Sequence, residues 1–393
     1  MEVGDLLFSF FIIFTSAKIL GEFSVRLGMP VIVGELVAGV LLGSHVLGLI
    51  DSSNPVLMSF AEIGVVFLIF HVGLEVRVKD LFGVGRTAVL VGALGVIFPF
   101  SMGLGTMLLL GHTAIESLFV ATAILATSVG ISVKVLQDLG LIRNRVAYII
   151  LGAAVLDDIL ALIALAVVRG LASGRFETLE FVILVIESIV FVGFLTWMGP
   201  RIAQSSERWL DWFKIPETPF VVSVILCLGL AELAHVIGLA AIIGAFMAGI
   251  VIDELAGVYD LEHQFKYVKE FLSPFFFVMM GAQLDPLVFL RSDLALLTIL
   301  ITVVAVLSKM VGSALACWKE SWRVKIQTGI CMVPRGEVGI IVGLVGLSLQ
   351  SIGPDTYAVV LGMSLLTTMI TPPLIVLSFQ QERSGPRREE SGF

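Results

Sequence analysis

The chain has 393 residues, 58% of them hydrophobic and 14% charged, with a mean hydropathy of +1.05 and a formal net charge of −8. A soluble globular domain is nearer a quarter charged, so these figures exclude a soluble enzyme and make lipid the expected main solvent. The three cysteines (Cys227, Cys317, Cys331) lie in apolar runs and suggest buried packing, not a disulfide framework or a metal cluster, and nothing suggests nucleotide, cofactor or nucleic-acid binding.

Apolar stretches of about one membrane span follow one another along the whole chain. The predicted spans are 5–25, 31–50, 56–76, 86–110, 115–139, 145–171, 178–199, 216–236, 238–253, 264–284, 292–317, 324–350 and 355–379. The expected fold is therefore an all-α polytopic membrane protein with about thirteen transmembrane helices, residues 1–380 forming one transmembrane unit. The first stretch follows Glu2 and Asp5, not a basic region, and reads as a retained helix. Residues 381–393 form a short polar tail. Joints carry helix breakers: Gly28-Met29-Pro30, Asn54-Pro55, Gly199-Pro200, Pro216 with Pro219, and Gly353-Pro354.

Basic residues orient this map. With the N-terminus outside, the inner joints hold Arg26; Arg77, Lys79 and Arg86; Arg143 and Arg145; Arg201, Arg208 and Lys214; Lys266 and Lys269; Lys319, Arg323 and Lys325; Arg383, Arg387 and Arg388. The outer joints hold only Arg169, Arg175 and Arg291. That asymmetry predicts the N-terminus outside and the C-terminus in the cytoplasm. Lys18, Lys134, Lys309 and Arg335 fall inside spans, where a charge needs a partner.

Two halves are visible. Phe70-His71-Val72-Gly73-Leu74-Glu75 ends the third span, and Met280-Gly281-Ala282-Gln283-Leu284-Asp285 ends the tenth. Thr127-Ser128-Val129-Gly130 interrupts the fifth, and Val333-Pro334-Arg335-Gly336-Glu337 the twelfth. Equivalent helices are seven spans apart and so run in opposite directions. This is the pattern of inverted-topology repeats with two broken crossing helices and a binding site between them. Chance likeness among glycine-rich apolar helices is the plainer alternative.

Asp157 and Asp158 sit mid-span in Leu156-Asp157-Asp158-Ile159. An acid at the bilayer centre costs about 2.5–3.5 kcal/mol on insertion scales, so two adjacent acids call for a function. Successive helix positions differ by about 100°, so one carboxylate can face a neighbouring helix while the other faces a cavity. A carboxylate there can hold a proton or a cation, and that competition is the chemical basis of exchange. A sealed packing network is the plainer alternative. Lys309, also mid-span, is too deep to snorkel, and Asp157 is its natural partner. Thr127 and Ser128 offer hydroxyls and freed backbone carbonyls, oxygen donors suited to a hard cation such as Na+; small-residue packing would also explain them. Arg335 and Glu337 flank a break whose half-helix ends need charge compensation, and Glu337 can pair with Arg335 or Lys134. Glu22, Glu35, Glu62, His71, Glu187, Glu232 and His235 read as structural polar residues, with Lys18 and Glu22 spaced for an (i, i+4) pair and Asp253-Glu254 marking a helix end.

Together, Ala126-Thr127-Ser128-Val129-Gly130, Val135-Leu136-Gln137-Asp138-Leu139-Gly140, Ile150 through Asp158, Lys309 and Met332-Val333-Pro334-Arg335-Gly336-Glu337-Val338 resemble the monovalent cation:proton antiporters, and within them the NapA-type bacterial sodium/proton antiporters. The paired aspartates with a downstream lysine are the specific part. The resemblance implies a homodimer in the cytoplasmic membrane. A mobile core would span about 86–171 and 292–379, a dimerisation domain about 5–76 and 216–284, with a linker helix at about 178–199. It implies that Asp158 binds Na+ or H+, that Asp157 pairs with Lys309 when the ion is absent, and that Thr127, Ser128 and Glu337, with Arg335 and Lys134, line or support the site. It further implies an elevator-like motion and electrogenic exchange without a cofactor. A potassium/proton antiporter with the same site stays open, since Na+, Li+ and K+ all take oxygen ligands. The chain lacks the nucleotide-binding domain that follows the last span in many potassium-selective relatives. A more distant alternative is an organic-anion symporter or membrane sensor, in which the lysine or arginine would bind the substrate's charge.

Overall fold

A computed structural model describes residues 3–75, 83–173, 217–237, 239–283 and 291–383, together with isolated residues between 186 and 215. The described residues form fourteen helices and no strand. In chain order these are α1 (Val3–Arg26), α2 (Val31–Leu42), α3 (Pro55–Glu75), α4 (Gly85–Leu109), α5 (Ala114–Leu125), α6 (Val129–Asp138) and α7 (Arg145–Ser173). They continue with α8 (Thr218–Val236), α9 (Ala241–Tyr259), α10 (Leu261–Ala282), α11 (Ser292–Ala316), α12 (Trp322–Cys331), α13 (Glu337–Ser348) and α14 (Pro354–Arg383).

Eight helical stretches are long and apolar enough to cross a membrane: α1, α3, α4, α7, α8, α11, α14 and the run from α5 through α6. Shorter apolar helices occur at Val31–Leu42, Ala241–Ile252 and Val338–Ser348. Local chemistry sets the starts. Asn54 accepts from the Val56 backbone N–H at 3.0 Å just before Pro55, Thr113 caps α5 through the Glu116 N–H, and Ser321 caps α12 through the Val324 N–H.

Two boundaries and one ion pair differ from the sequence expectation. The stretch 31–50 is helical only to Leu42. The Gly43 N–H still bonds back to Gly39, and the chain then doubles back, Leu47 donating to the Leu41 carbonyl and Gly48 turning at φ 62°. Asp253-Glu254 does not end a helix, because α9 continues to Tyr259. Glu22 pairs with Arg26 at 3.0 Å, toward the helix C-terminus and not back to Lys18. Most of the expected linker helix at 178–199 lies outside the described residues, the few described within it (186, 187, 190, 191 and 193–195) being helical, and the tail beyond Arg383 lies outside them too.

Helix contacts fall into two groups. In one, α3 packs on α9 and α10, α2 on α1 and α10, and α8 on α9. Glycines let these backbones touch: a Cβ on Gly39 would lie 2.0 Å from the Val278 carbonyl, and one on Gly281 2.1 Å from the Leu36 carbonyl. Phe10, Phe60 and Phe275 then fill the space around α10, with edge-to-face contacts at 4.7 Å from Phe10 to each partner. In the other group, α4 packs on α5, α7 and α11, while α14 packs on α11, α12 and α13. The groups meet where α6 lies against α2 and α3, and α14 against α2.

Candidate functional site

The two broken helices meet at their breaks. Between α5 and α6 the chain leaves the helical conformation at Ala126 (φ −67°, ψ 140°) and Ser128 (φ −85°, ψ 85°). Between α12 and α13 it does so at Gly336 (φ −131°, ψ −139°). The Ser128 N–H donates to the Pro334 carbonyl at 2.8 Å, and the Ser132 hydroxyl to the Cys331 carbonyl at 2.6 Å. A Cβ on Gly336 would fall 2.6 Å from the Ser128 Cβ and Oγ, so glycine is what lets the strands cross.

Each break frees carbonyls at a helix C-terminus, which need donors in a medium without water. Arg335 supplies them. Its guanidinium is fully buried and donates to the Ala126 carbonyl at 3.0 Å, the Thr127 hydroxyl oxygen at 3.1 Å and the Ala305 carbonyl at 3.3 Å. Its own backbone is held by Thr367, which accepts from the Arg335 N–H at 3.1 Å, and by Thr368, which donates to the Arg335 carbonyl at 2.7 Å.

Lys309 on α11 enters the crossing from the side. Its ammonium donates to Asp157 Oδ1 at 2.8 Å and Oδ2 at 3.0 Å, to the Gly95 carbonyl at 2.7 Å and to the Leu125 carbonyl at 3.1 Å. Leu125 is the last residue of α5, so this ammonium also sits at a freed helix end. Asp157 and Lys309 have no exposed surface, and Asp158 has 5%. The expected Asp157–Lys309 pair is thus present, with Asp158 one helix position round from it.

Other expected partners are placed differently. Lys134 does not reach the crossing; it pairs with Asp138 at 2.7 Å, one turn further along α6. Among the described residues the Arg335 guanidinium bonds to the Ala126 and Ala305 carbonyls and to Thr127. The Glu337 side chain lies outside the described residues. The Thr127 hydroxyl oxygen already accepts from Arg335 and keeps one further lone pair. Among the described residues no three His, Cys, Asp or Glu side chains gather at metal-holding distance.

A second polar cluster was not singled out as functional from sequence. His71, Glu75, Gln137 and Lys269 converge from α3, α6 and α10. The (i, i+4) spacing of His71 and Glu75 was the available signal; the contribution of Lys269 was not visible, being 132 residues from Gln137.

Comparison with known proteins bears on the whole chain. Residues 10–377 match the family described as sodium/hydrogen exchanger, transmembrane. A high-affinity sodium/proton antiporter of Synechocystis sp. is 31% identical, covering 100% of this chain and 92% of its own length. A sodium/proton–potassium antiporter of Bacillus cereus is 32% identical, covering 95% of this chain and 96% of its own length. The fold is similar to that of a sodium proton antiporter from Methanocaldococcus jannaschii, with TM-score 0.68 at 18% identity over 98% of both chains.

Proposed function

This chain belongs to the sodium/hydrogen exchanger family, and from that premise we propose that it is a sodium/proton antiporter of the cytoplasmic membrane. Na+ and H+ compete for Asp158, and Asp157 alternates between that site and Lys309. The observation that carries this reading is the four-acceptor seat of the Lys309 ammonium against Asp157 at the end of α5. A buried ion pair of this kind is stable only while both partners stay charged. Protonating Asp157, or drawing it toward a cation beside Asp158, releases the lysine. Proton and cation occupancy are thereby coupled in one cluster. Thr127, Ser128 and the carbonyls of the breaks complete an oxygen-lined seat for the ion; Glu337, at the start of α13, supports it, and Lys134 lies further along α6.

The remaining parts of the reading follow from this seat. The α4–α7 and α11–α14 helices form a moving core that carries the crossing, and α1–α3 with α8–α10 form the scaffold and dimerisation domain, joined by the segment near 178–199. The N-terminus is outside and the C-terminus in the cytoplasm. Exchange is electrogenic, because a second carboxylate allows more protons than sodium ions to move. The name of the Bacillus cereus relative, which includes potassium, favours one second reading: potassium/proton exchange at the same oxygen-lined site.

The test is proton flux in everted membrane vesicles. Wild type shows sodium-dependent flux that responds to membrane potential, and Asp158→Asn abolishes it. Intact flux in Asp158→Asn overturns the reading, and a potassium series in place of sodium decides between the two cations.

A further inference from the structure

The groups of helices that the proposed motion must separate are joined by polar bonds at one end of α6, where the Gln137 side-chain amide meets three scaffold side chains. Gln137 lies in the last turn of α6, in the core. Its Nε2 donates to Glu75 Oε1 and to His71 Nδ1, the latter at 2.8 Å, both on α3 of the scaffold. Its Oε1 accepts from Lys269 Nζ at 2.9 Å, on α10 of the scaffold. The amide orientation is dictated by its partners. Turned over, it would set NH2 against an ammonium and a carbonyl against a carboxylate. The Nε2 of His71 lies 3.0 Å from the Glu262 backbone carbonyl and donates to it; Nδ1 accepts from Gln137 in the neutral ring and donates to Glu75 in the protonated one. The same Nδ1 is 3.0 Å from Glu75 Oε1, and both side chains are nearly enclosed, at 4% and 12% exposure. Arg143, in the loop after α6, adds a longer bond to the Glu75 carbonyl at 3.4 Å.

Above this knot α6 meets α3 through apolar side chains at Gly130, where a Cβ would lie 3.6 Å from Ile69 and from Val65. Such a surface can slide. The knot resists, because any shift of α6 along α3 breaks the charge-assisted bonds from Gln137 to Glu75 and to Lys269 together.

We propose that Gln137 is a positioning residue that latches the core to the scaffold on the cytoplasmic face, holding that side of the ion path closed until the core moves. This rests on the antiporter reading for which face is cytoplasmic and which group moves. The latch is a property of the resting arrangement, so it can be read without transport.

The experiment is cysteine accessibility in everted vesicles holding the full-length chain. Cys227, Cys317 and Cys331 are replaced by alanine, a reporter is introduced by Ile69→Cys, and a charged membrane-impermeant maleimide is applied from the cytoplasmic side. Gln137→Leu is expected to raise the labelling rate roughly tenfold, the order of one lost charge-assisted hydrogen bond. Lys269→Met also raises it, and the double variant labels no faster than Gln137→Leu, because both changes open one latch. The paired exchange Gln137→Glu with Glu75→Gln restores slow labelling, since the amide and carboxylate still face each other and Lys269 keeps an acceptor. Unchanged labelling in Gln137→Leu, or fast labelling in the paired exchange, overturns the latch. A control reporter at Ala123→Cys, deep in α5, stays unlabelled if the variant is folded. If Gln137→Leu fails that control, Gln137→Asn decides instead. Its shorter side chain cannot span Glu75 and Lys269, so labelling as slow as wild type overturns the proposal. A latch pattern without any sodium-dependent flux would sink the antiporter reading and leave the tie itself standing; flux that depends on Asp158 with no latch pattern would do the reverse.

Discussion

Lys309 and Asp157 form a fully buried ion pair in which one ammonium contacts both carboxylate oxygens, at 2.8 and 3.0 Å. Two backbone carbonyls, of Gly95 and Leu125, share the same three protons. The pair therefore binds α4, α5, α7 and α11 at one point. Its stability and its chemistry are the same contact, which makes it separable by experiment.

Lys309→Met leaves Asp157 enclosed without its cation and is expected to lower stability by about 3–5 kcal/mol. Asp157→Asn with Lys309→Met removes both charges and is expected to recover most of that loss. Thermal unfolding of the purified single and double variants checks this. A double variant no more stable than Lys309→Met would show that the pair is not the source of the effect.

A cation that binds the folded protein at Asp158 raises its unfolding temperature in proportion to the logarithm of concentration above Kd. Wild type at alkaline pH is expected to gain about 2.7 kcal/mol at sodium one hundred times Kd. Asp158→Asn is expected to show wild-type stability without sodium and no gain with it. A sodium-dependent shift of equal size in that variant places the ion elsewhere.

Two glycines should tolerate a methyl group poorly for different reasons. At Gly336 it would meet the Ser128 Cβ and Oγ at 2.6 Å, and rotation moves only the Oγ, so Gly336→Ala is expected to cost about 1–3 kcal/mol and to slow transport by displacing the crossing. At Gly39 it would meet the Val278 backbone carbonyl at 2.0 Å, which cannot rotate away. Gly39→Ala is expected to destabilise α2 against α10 more strongly while leaving the crossing intact. Unfolding midpoints compared with residual flux separate the two.

Outside the spans, Glu320 accepts two bonds from Arg145, at 2.6 and 2.9 Å, joining the loop before α12 to the start of α7. That bonding holds the Glu320 carboxyl below its ordinary value. A depressed carboxyl contributes stability above its unfolded-state value and loses it as pH falls through the folded value. The difference between wild type and Glu320→Gln is therefore expected to be present at neutral pH and to vanish in acid. Arg145 is half exposed, so it should not exceed about 1 kcal/mol. A difference that grew on acidification would contradict the sign.

Much of the architecture is written in hydropathy, because every apolar stretch must bury its own backbone bonds in lipid. That is why α3, α4, α7, α8 and α11 fall within a few residues of their expected spans. The helix of the 31–50 stretch was misjudged because hydropathy does not distinguish a helix from an apolar turn, and Gly43 and Gly48 make one there. The Asp157–Lys309 pair was legible for a simpler reason: charge in lipid is costly, so each of the two needed a partner.

The sequence by itself determined the helical membrane fold, the two interruptions and the charged residues that require partners, because each depends on local cost: residue by residue, apolar or not, helical or not. Only the tertiary structure decided who meets whom. It gave Arg335 to the Ala126 carbonyl and Thr127, Lys309 to the Gly95 and Leu125 carbonyls, and Lys269 to Gln137 across 132 positions. These pairings arise where helices distant in the chain come within hydrogen-bond reach. The spacing of residues along a single helix carries no record of that distance.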